Sequence, residues 1–253
     1  VSRTLTGNLS EIFASEQGEG SYCGDRHLFV RFAGCNIRCA YCDTPESLIR
    51  VSSCRVDYPC GERDAIDNPF AAVDLTAIVD RFLHEDSSIK MVSLTGGEPM
   101  VQAAFIAHWL AEAKPSVDVM LETAATTTRG LDELLPYLSV VSADVKLPSN
   151  SGELPFWDVH DEFLSLCAEV AGLDLYVKMP VDDATSDDDV RRGARMVADR
   201  VPDARLYMQP ITDPSDGRWR LGSARMGALL AVASTECANT AFRPQVHKLL
   251  GVR

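Results

Sequence analysis

Between Met91 and Pro210 the chain repeats one pattern: a short apolar segment, a break of glycine, proline or charge, then a segment of helical period. MVSL (Met91–Leu94), VDVMLET (Val117–Thr123), VVSADVK (Val140–Lys146), LYVKMPV (Leu175–Val181) and LYMQP (Leu206–Pro210) read as strands. Between them, Val101–Ala113, GLDELLPYL, Asp158–Ala171 and Asp187–Arg200 carry helical spacing. Strands that alternate with helices across short connections form a parallel sheet, because each helix must carry the chain back to the same end. HLFVRFAG (His27–Gly34) adds an earlier strand. The fold class expected is α/β, one domain over residues 1–253. PESLIRVSSCRVDYPCGERDAIDN (Pro45–Asn68) shows no clear period and reads as an irregular insertion.

In a parallel sheet of this kind, ligands meet the C-terminal ends of the strands. That is where the unusual residues of this chain fall: Cys35, Gly96–Glu98, Glu122, Asp144, Lys146 and Gln209.

Composition narrows the partners. The balance of 24 Lys+Arg against 37 Asp+Glu gives a net charge of −13, which repels phosphate backbones and argues against nucleic acid. No apolar run near the first residue suits a signal peptide, and GALLAVA (Gly227–Ala233) is too short to span a bilayer. The expectation is a soluble, cytoplasmic protein with no membrane partner. Eight cysteines in such a chain point to metal or redox chemistry before disulfides.

GCNIRCAYCDT (Gly34–Thr44) packs Cys35, Cys39 and Cys42 into eight residues. A structural zinc site takes four ligands, usually as two separated pairs, and a disulfide would leave one cysteine over. Three thiolates can instead hold three irons of a four-iron cubane, leaving the fourth iron open. A three-ligand zinc site or an electron-transfer site is the alternative on spacing alone. The second motif, SLTGGEP (Ser93–Pro99), ends a strand on two glycines that let backbone groups approach a ligand.

CxxxCxxC followed by a GGEP strand end resembles the radical S-adenosylmethionine enzymes. In those enzymes the open iron binds the amino and carboxylate groups of S-adenosylmethionine, and one-electron reduction yields a 5′-deoxyadenosyl radical. A closer resemblance covers nearly the whole chain. SEQGEG (Ser15–Gly20), LFVRFAGCN (Leu28–Asn36), CDT (Cys42–Thr44), SLTGGEPMVQ (Ser93–Gln102), SADVKLPS (Ser142–Ser149), YMQP (Tyr207–Pro210) and QVHKLLGVR (Gln245–Arg253) are similar to the 7-carboxy-7-deazaguanine synthase family.

That resemblance implies a shortened, modified TIM-type barrel, a homodimer and a flavodoxin- or ferredoxin-type reductant. It also implies ring contraction of 6-carboxy-5,6,7,8-tetrahydropterin with loss of ammonia, on a route to deazapurines of the queuosine type. Carried over by position, Cys35, Cys39 and Cys42 hold the 4Fe-4S cluster and Thr44 offers its hydroxyl to Mg²⁺. Gly97 and Glu98 meet S-adenosylmethionine, with Ser142, Asp144 and Lys146 and the stretch Gln209, Pro210, Ile211 and Thr212. Glu16, Gln17, Gly18, Arg31, Thr95 and Arg253 face the pterin. No side chain is assigned a chemical step beyond the cofactor's.

Other readings stay open on sequence. An activase of glycyl-radical enzymes shares the cysteine loop and GGEP but needs no QGEG element. A non-catalytic iron–sulfur electron carrier needs neither. Tyr41 packs against adenine or is a core residue, and His247 acts as acid or base or simply hydrogen-bonds. Asp144 and Lys146 could be a mere ion pair. Many family members carry Glu-Thr-Asn-Gly where this chain has Glu122-Thr123-Ala124-Ala125, which weakens a ligand role for that turn. Cys54 and Cys60 in the insertion find no further cysteine pair for a second cluster.

Overall fold

The computed structural model describes residues 5–213 and 215–251. The chain opens with β1 (Leu9–Glu16), β2 (Arg26–Phe32), β3 (Ser53–Asp57), β4 (Arg63–Asp67) and α1 (Ala72–Glu85). Then follow β5 (Met91–Gly96), α2 (Ala103–Ala113), β6 (Asp118–Thr123), α3 (Leu131–Leu134), β7 (Val140–Asp144), α4 (Pro148–Ser151) and α5 (Trp157–Ala168). The last third holds β8 (Asp174–Val181), α6 (Asp187–Arg200), β9 (Arg205–Pro210), α7 (Ser223–Glu236), β10 (Thr240–Phe242) and α8 (Val246–Leu250).

All strands join one 10-stranded sheet in the linear order β10-β9-β8-β7-β6-β5-β2-β1-β3-β4. From β10 to β2 every neighbouring pair is parallel. Beyond β2 the sheet continues through β1, antiparallel to it, and then through the β3–β4 hairpin. The result is a shortened, modified TIM-type barrel whose parallel series runs into an antiparallel extension. Among the described residues no helix is long and apolar enough to cross a membrane.

Strand alternation divides the side chains into two populations. Val92 and Leu94 of β5, Val119 and Leu121 of β6, Val141 and Ala143 of β7, and Val177 and Met179 of β8 point outward into the main core under the helices. The opposite face carries a small apolar cluster of Met91, Met120, Val140, Tyr176 and Tyr207. α1 meets the sheet with Leu75, Ile78, Val79 and Phe82, the i, i+3, i+4, i+7 stripe of an amphipathic helix. α6 begins at Ser186, whose side chain accepts from the Asp188 amide, and carries three aspartates in its first turn and Arg200 in its last. That arrangement satisfies a free helix amide and opposes the helix dipole at both ends.

The segment Pro45–Asn68 departs from the irregular insertion expected of it: β3 and β4 form a regular hairpin. Cys54 and Val56 alternate inward to the core, while Ser53 and Arg55 face solvent. β4 is exposed along nearly its whole length and carries Arg63, Asp64 and Asp67. Charges on an edge strand discourage pairing with another chain, and they also conceal the strand in the sequence. Cys60 sits at the hairpin turn beside Arg81, away from the core-facing Cys54. All eight cysteines are free.

Candidate active site

Inward-facing residues of the parallel strands fall opposite one another by register. Arg31 pairs with Thr95, Glu122 with Ser142, Asp144 with Lys178, and Pro180 with Gln209. They stand toward the C-terminal strand ends, beyond the apolar cluster inside the barrel. Most of them line a cavity of about 470 Å³. Its chemistry comes from three walls.

The first wall is the cysteine loop. It leaves β2 at Gly34, whose φ of +103° suits glycine, and is pinned by backbone bonds on both sides. The Gly34 amide donates to Ser47 O (2.8 Å), the Cys35 amide to Leu48 O (3.2 Å), and the Ala40 amide to Ser151 O (2.8 Å). From the neighbouring strand end, the Glu98 amide donates to Gly34 O (2.9 Å). A Cβ on Gly97 would lie 2.4 Å from Ser47 O and 2.6 Å from Gly34 O, so only glycine allows this approach. Cys35, Cys39 and Cys42 all line the cavity. Burial pushes the Cys35 and Cys39 thiols up, with Lys146 pulling Cys39 the other way. Tyr41 lines the same wall, its ring 5.7 Å from the Lys146 ammonium. Thr44 follows the loop, and its hydroxyl caps nothing at the 3-10 turn Pro45–Ser47.

The second wall is an ion-pair network. Lys146 Nζ lies 2.9 Å from Asp144, and Lys178 Nζ lies 3.1 Å from the other oxygen of Asp144. Lys178 also pairs with Glu19. Burial works against the charge on Lys178, but the attraction of Asp144 and Glu19 outweighs it and holds its pKa well above the ordinary value. Burial likewise works against Glu19, yet Lys178 keeps that carboxyl far below the usual range. Next to this network lie Gln209, Pro210, Ile211 and Thr212. Gln209 Oε1 and Thr212 Oγ1 are buried and find no hydrogen-bond partner among the described residues.

The third wall joins the loop after β1 to the segment around α8. Gln17 Nε2 donates to Glu122 Oε1 (2.7 Å), and the Glu19 amide donates to Gln17 Oε1 (3.0 Å). Gln245 Nε2 donates to Glu19 Oε1 (2.9 Å), and the Val246 amide to Gly18 O (2.9 Å). A Cβ on Gly18 would fall 2.1 Å from His247 Nδ1, so the packing of α8 on this loop depends on that glycine. Lys248 pairs with Asp43 at 3.0 Å, tying α8 to the end of the cysteine loop. Phe13 and Phe29 stack beside this wall, centroids 5.2 Å apart and planes 14° apart, and both line the cavity.

Most of the residues singled out by sequence meet here, and a few do not. Glu98 is fully buried outside the cavity. Its Oε1 accepts from the Met100 amide (3.0 Å) and the Thr123 hydroxyl (2.7 Å), and its Oε2 from the Ala124 amide (2.7 Å). It braces two strand ends, with Oε1 accepting two hydrogen bonds and Oε2 one. Ser142 is also fully buried, on the inward face but below the cavity. Glu16 reaches the rim, where it pairs with Arg26 at 3.1 Å. Arg31 lines the cavity with its Nε held by Glu11 at 2.7 Å. Arg253 lies outside the described residues. Asp144 and Lys146 are indeed an ion pair, but one that faces the cavity. Met208 is core.

The Radical SAM superfamily model matches residues 29–163. The 7-carboxy-7-deazaguanine synthase of Geobacter sulfurreducens is 32% identical over 248 residues, covering 96% of each chain. The chain belongs to the 7-carboxy-7-deazaguanine synthase family. The enzyme of the same name from Methanopyrus kandleri is 33% identical over 96% of this chain and 93% of its own. The fold is shared with the crystal structure of QueE from Escherichia coli (TM-score 0.59, 19% identity, 96% of this chain and 95% of that one).

A synthase of this family implies an iron–sulfur cluster, and the residues present fit one. Three free thiols line one wall, burial disfavours the charge of Cys35 and Cys39 without a cation, and a glycine-only contact holds the loop in place. Among the described residues no three His, Cys, Asp or Glu side chains are grouped to hold a single metal ion. Thiolates sharing one zinc would stand only about 3.8 Å apart, given a Zn–S distance of about 2.3 Å. Ala125, where the family pattern has glycine, has φ +51° and keeps the left-handed turn.

Sequence reasoning passed over Glu19, Lys178, Gln245 and the Phe13–Phe29 stack. Lys178 was legible as the lone charge inside the apolar LYVKMPV, and Glu19 as part of QGEG. The aromatic pair had no such signal, because β1 and β2 become neighbours only through register.

Proposed function

We propose that this chain contracts 6-carboxy-5,6,7,8-tetrahydropterin to 7-carboxy-7-deazaguanine with loss of ammonia. The observation that carries the reading is the cavity itself. A three-thiol wall faces the Gln17–Gly18–Glu19 loop across about 470 Å³, a volume within the range of small-molecule sites. A protein-activating enzyme needs an opening to a large partner, whereas here α8 straps the cavity beside that loop.

Cys35, Cys39 and Cys42 would hold the cluster, which with S-adenosylmethionine bound and one electron from a reductant would supply the radical chemistry of the reaction. The chain's own residues bind, orient and shield. Gln17, Glu19 and Glu122 present the acceptors and amide donors that match the amino–oxo edge of a pterin. The Phe13–Phe29 stack offers a flat apolar face to the ring. Arg31, its Nε fixed by Glu11, directs the rest of its fork to the substrate carboxylate. Thr95 and Glu16 complete that side, and Arg253 belongs to it in this reading. Gly97, Asp144, Lys146 and Gln209–Thr212 receive S-adenosylmethionine, with Gln209 Oε1 and Thr212 Oγ1 as its unspent acceptors. Thr44 offers its hydroxyl to Mg²⁺, a hard ion that takes oxygen ligands. The same reading takes a homodimer, a cytoplasmic setting and a flavodoxin- or ferredoxin-type electron donor from the family.

Arg31→Ala tests the substrate half of the site. Truncating one partner of a charge-assisted pair costs roughly 2–5 kcal/mol, so the apparent substrate constant should rise at least thirtyfold. 5′-Deoxyadenosine formation without substrate should continue at the parent rate. An unchanged substrate constant would remove Arg31 from the site.

A further inference from the structure

Arg38 lies between the first two cysteines, and its guanidinium is spent on the loop backbone. Its Nη1 donates to Cys35 O at 2.8 Å and to Ile37 O at 2.7 Å. No carboxylate pairs with that guanidinium among the described residues. Across the loop, the half-buried Glu153 accepts the Arg38 backbone amide through Oε1. Glu153 follows α4, the segment that also receives the Ala40 amide on Ser151 O. One fixed positive charge and one negative charge are thus tied to the same short loop, one through its carbonyls and the other through an amide.

We propose that Arg38 and Glu153 are an opposed charge pair that sets the reduction potential of the cluster held by this loop. The inference rests on the cluster reading of Cys35, Cys39 and Cys42. Three thiolates already give the cluster unit excess negative charge, and the electron that starts turnover adds one more. A fixed cation nearby stabilises the reduced state more than the oxidised one, and a fixed anion does the reverse. Arg38 holds the carbonyls of Cys35 and Ile37, and Glu153 holds the amide next to Cys39, so both charges sit on the loop that carries the ligands. Arg38 is exposed and Glu153 is half-buried. Solvent therefore screens the arginine more, and the two effects should be comparable despite the arginine's double contact. Lys146 adds a further positive charge, but Asp144 neutralises it at 2.9 Å. Glu98 is buried and committed to three hydrogen bonds.

The experiment is an anaerobic redox titration of the reconstituted protein, followed by the electron paramagnetic resonance of the reduced cluster, with iron per chain measured on each sample. Arg38→Gln should move the midpoint to more negative potential, Arg38→Lys should stay near the parent, and Glu153→Gln should move it to more positive potential. Parent-like midpoints in Arg38→Gln and Glu153→Gln at full iron content would overturn the assignment. So would a shift of the two in the same direction, which marks a loosened loop. If Arg38→Gln loads too little iron to titrate, the direction of the Glu153→Gln shift decides. A parent chain with no four-iron signal overturns the cluster reading itself, and this inference with it.

Discussion

His27 and His160 are fully buried histidines on opposite sides of the sheet, and both are held neutral. His27 shares a 2.8 Å hydrogen bond with Ser93, and His160 Nε2 accepts the Lys146 amide at 3.1 Å. Burial lowers each pKa to about 4; Lys90 adds to this for His27 and Lys146 for His160, while Asp25 and Asp144 oppose it. An unfolded histidine titrates near 6.5. Between these values the unfolded chain binds protons that the folded chain refuses, so stability rises with pH there and is lost as pH falls. Each group is worth on the order of 3 kcal/mol once pH drops below about 4, and roughly half of that by pH 5. Urea unfolding at pH 7 and pH 5 should show a marked drop in midpoint. The drop should shrink in His27→Gln, which cannot titrate. Equal drops in parent and variant would mean that His27 accepts a proton in the folded state.

Where two strand ends must be held against each other, the chain uses a buried carboxylate. Glu98 leaves the end of β5, starts the 3-10 turn Pro99–Gln102 and reaches across to Thr123 and Ala124 at the end of β6. It thereby fixes the left-handed turn at Ala125, whose amide donates to Thr123 Oγ1 at 2.9 Å. Glu98→Gln keeps the size but replaces one acceptor with an NH₂ that faces the Ala124 N–H. The unsatisfied donor should cost about 1–3 kcal/mol, read as a lower thermal midpoint with faster amide exchange at residues 123–125. Parent-like exchange there would show that the brace is dispensable. This brace also marks the limit of what sequence conveys. GGEP announces a glycine-rich strand end, and Gly97 does press against the cysteine loop, but nothing local says that the glutamate turns away from the cavity. The parallel strands were legible because apolar runs and helical periods alternate from Met91 to Pro210. β3 and β4 were not, because one offers only Cys54 and Val56 to the core and the other offers almost nothing.

At the scale of the whole molecule, a chain of net charge −13 surrounds a site in which Lys146 and Lys178 are buried and charged. The acidic surface repels polyanions, while the interior cations are each held by a carboxylate. Three distant segments converge to build that interior: the QGEG loop, the strand ends carrying Asp144 and Lys178, and the C-terminal strap from Gln245 to Lys248. The motifs for the loop and the strap stand out in the sequence, but their contact depends on the register of β1, β2 and the strands up to β9, which no local pattern encodes. In the proposed function this space holds a pterin next to a radical-generating cluster. The most direct measurement uses the reconstituted protein under strict exclusion of oxygen. 6-Carboxy-5,6,7,8-tetrahydropterin, S-adenosylmethionine, Mg²⁺ and a low-potential reductant are added, and the products are read by mass spectrometry. 7-Carboxy-7-deazaguanine should form at many equivalents per chain, and none when the pterin is omitted. Fully clustered protein that cleaves S-adenosylmethionine yet forms no deazaguanine would contradict it.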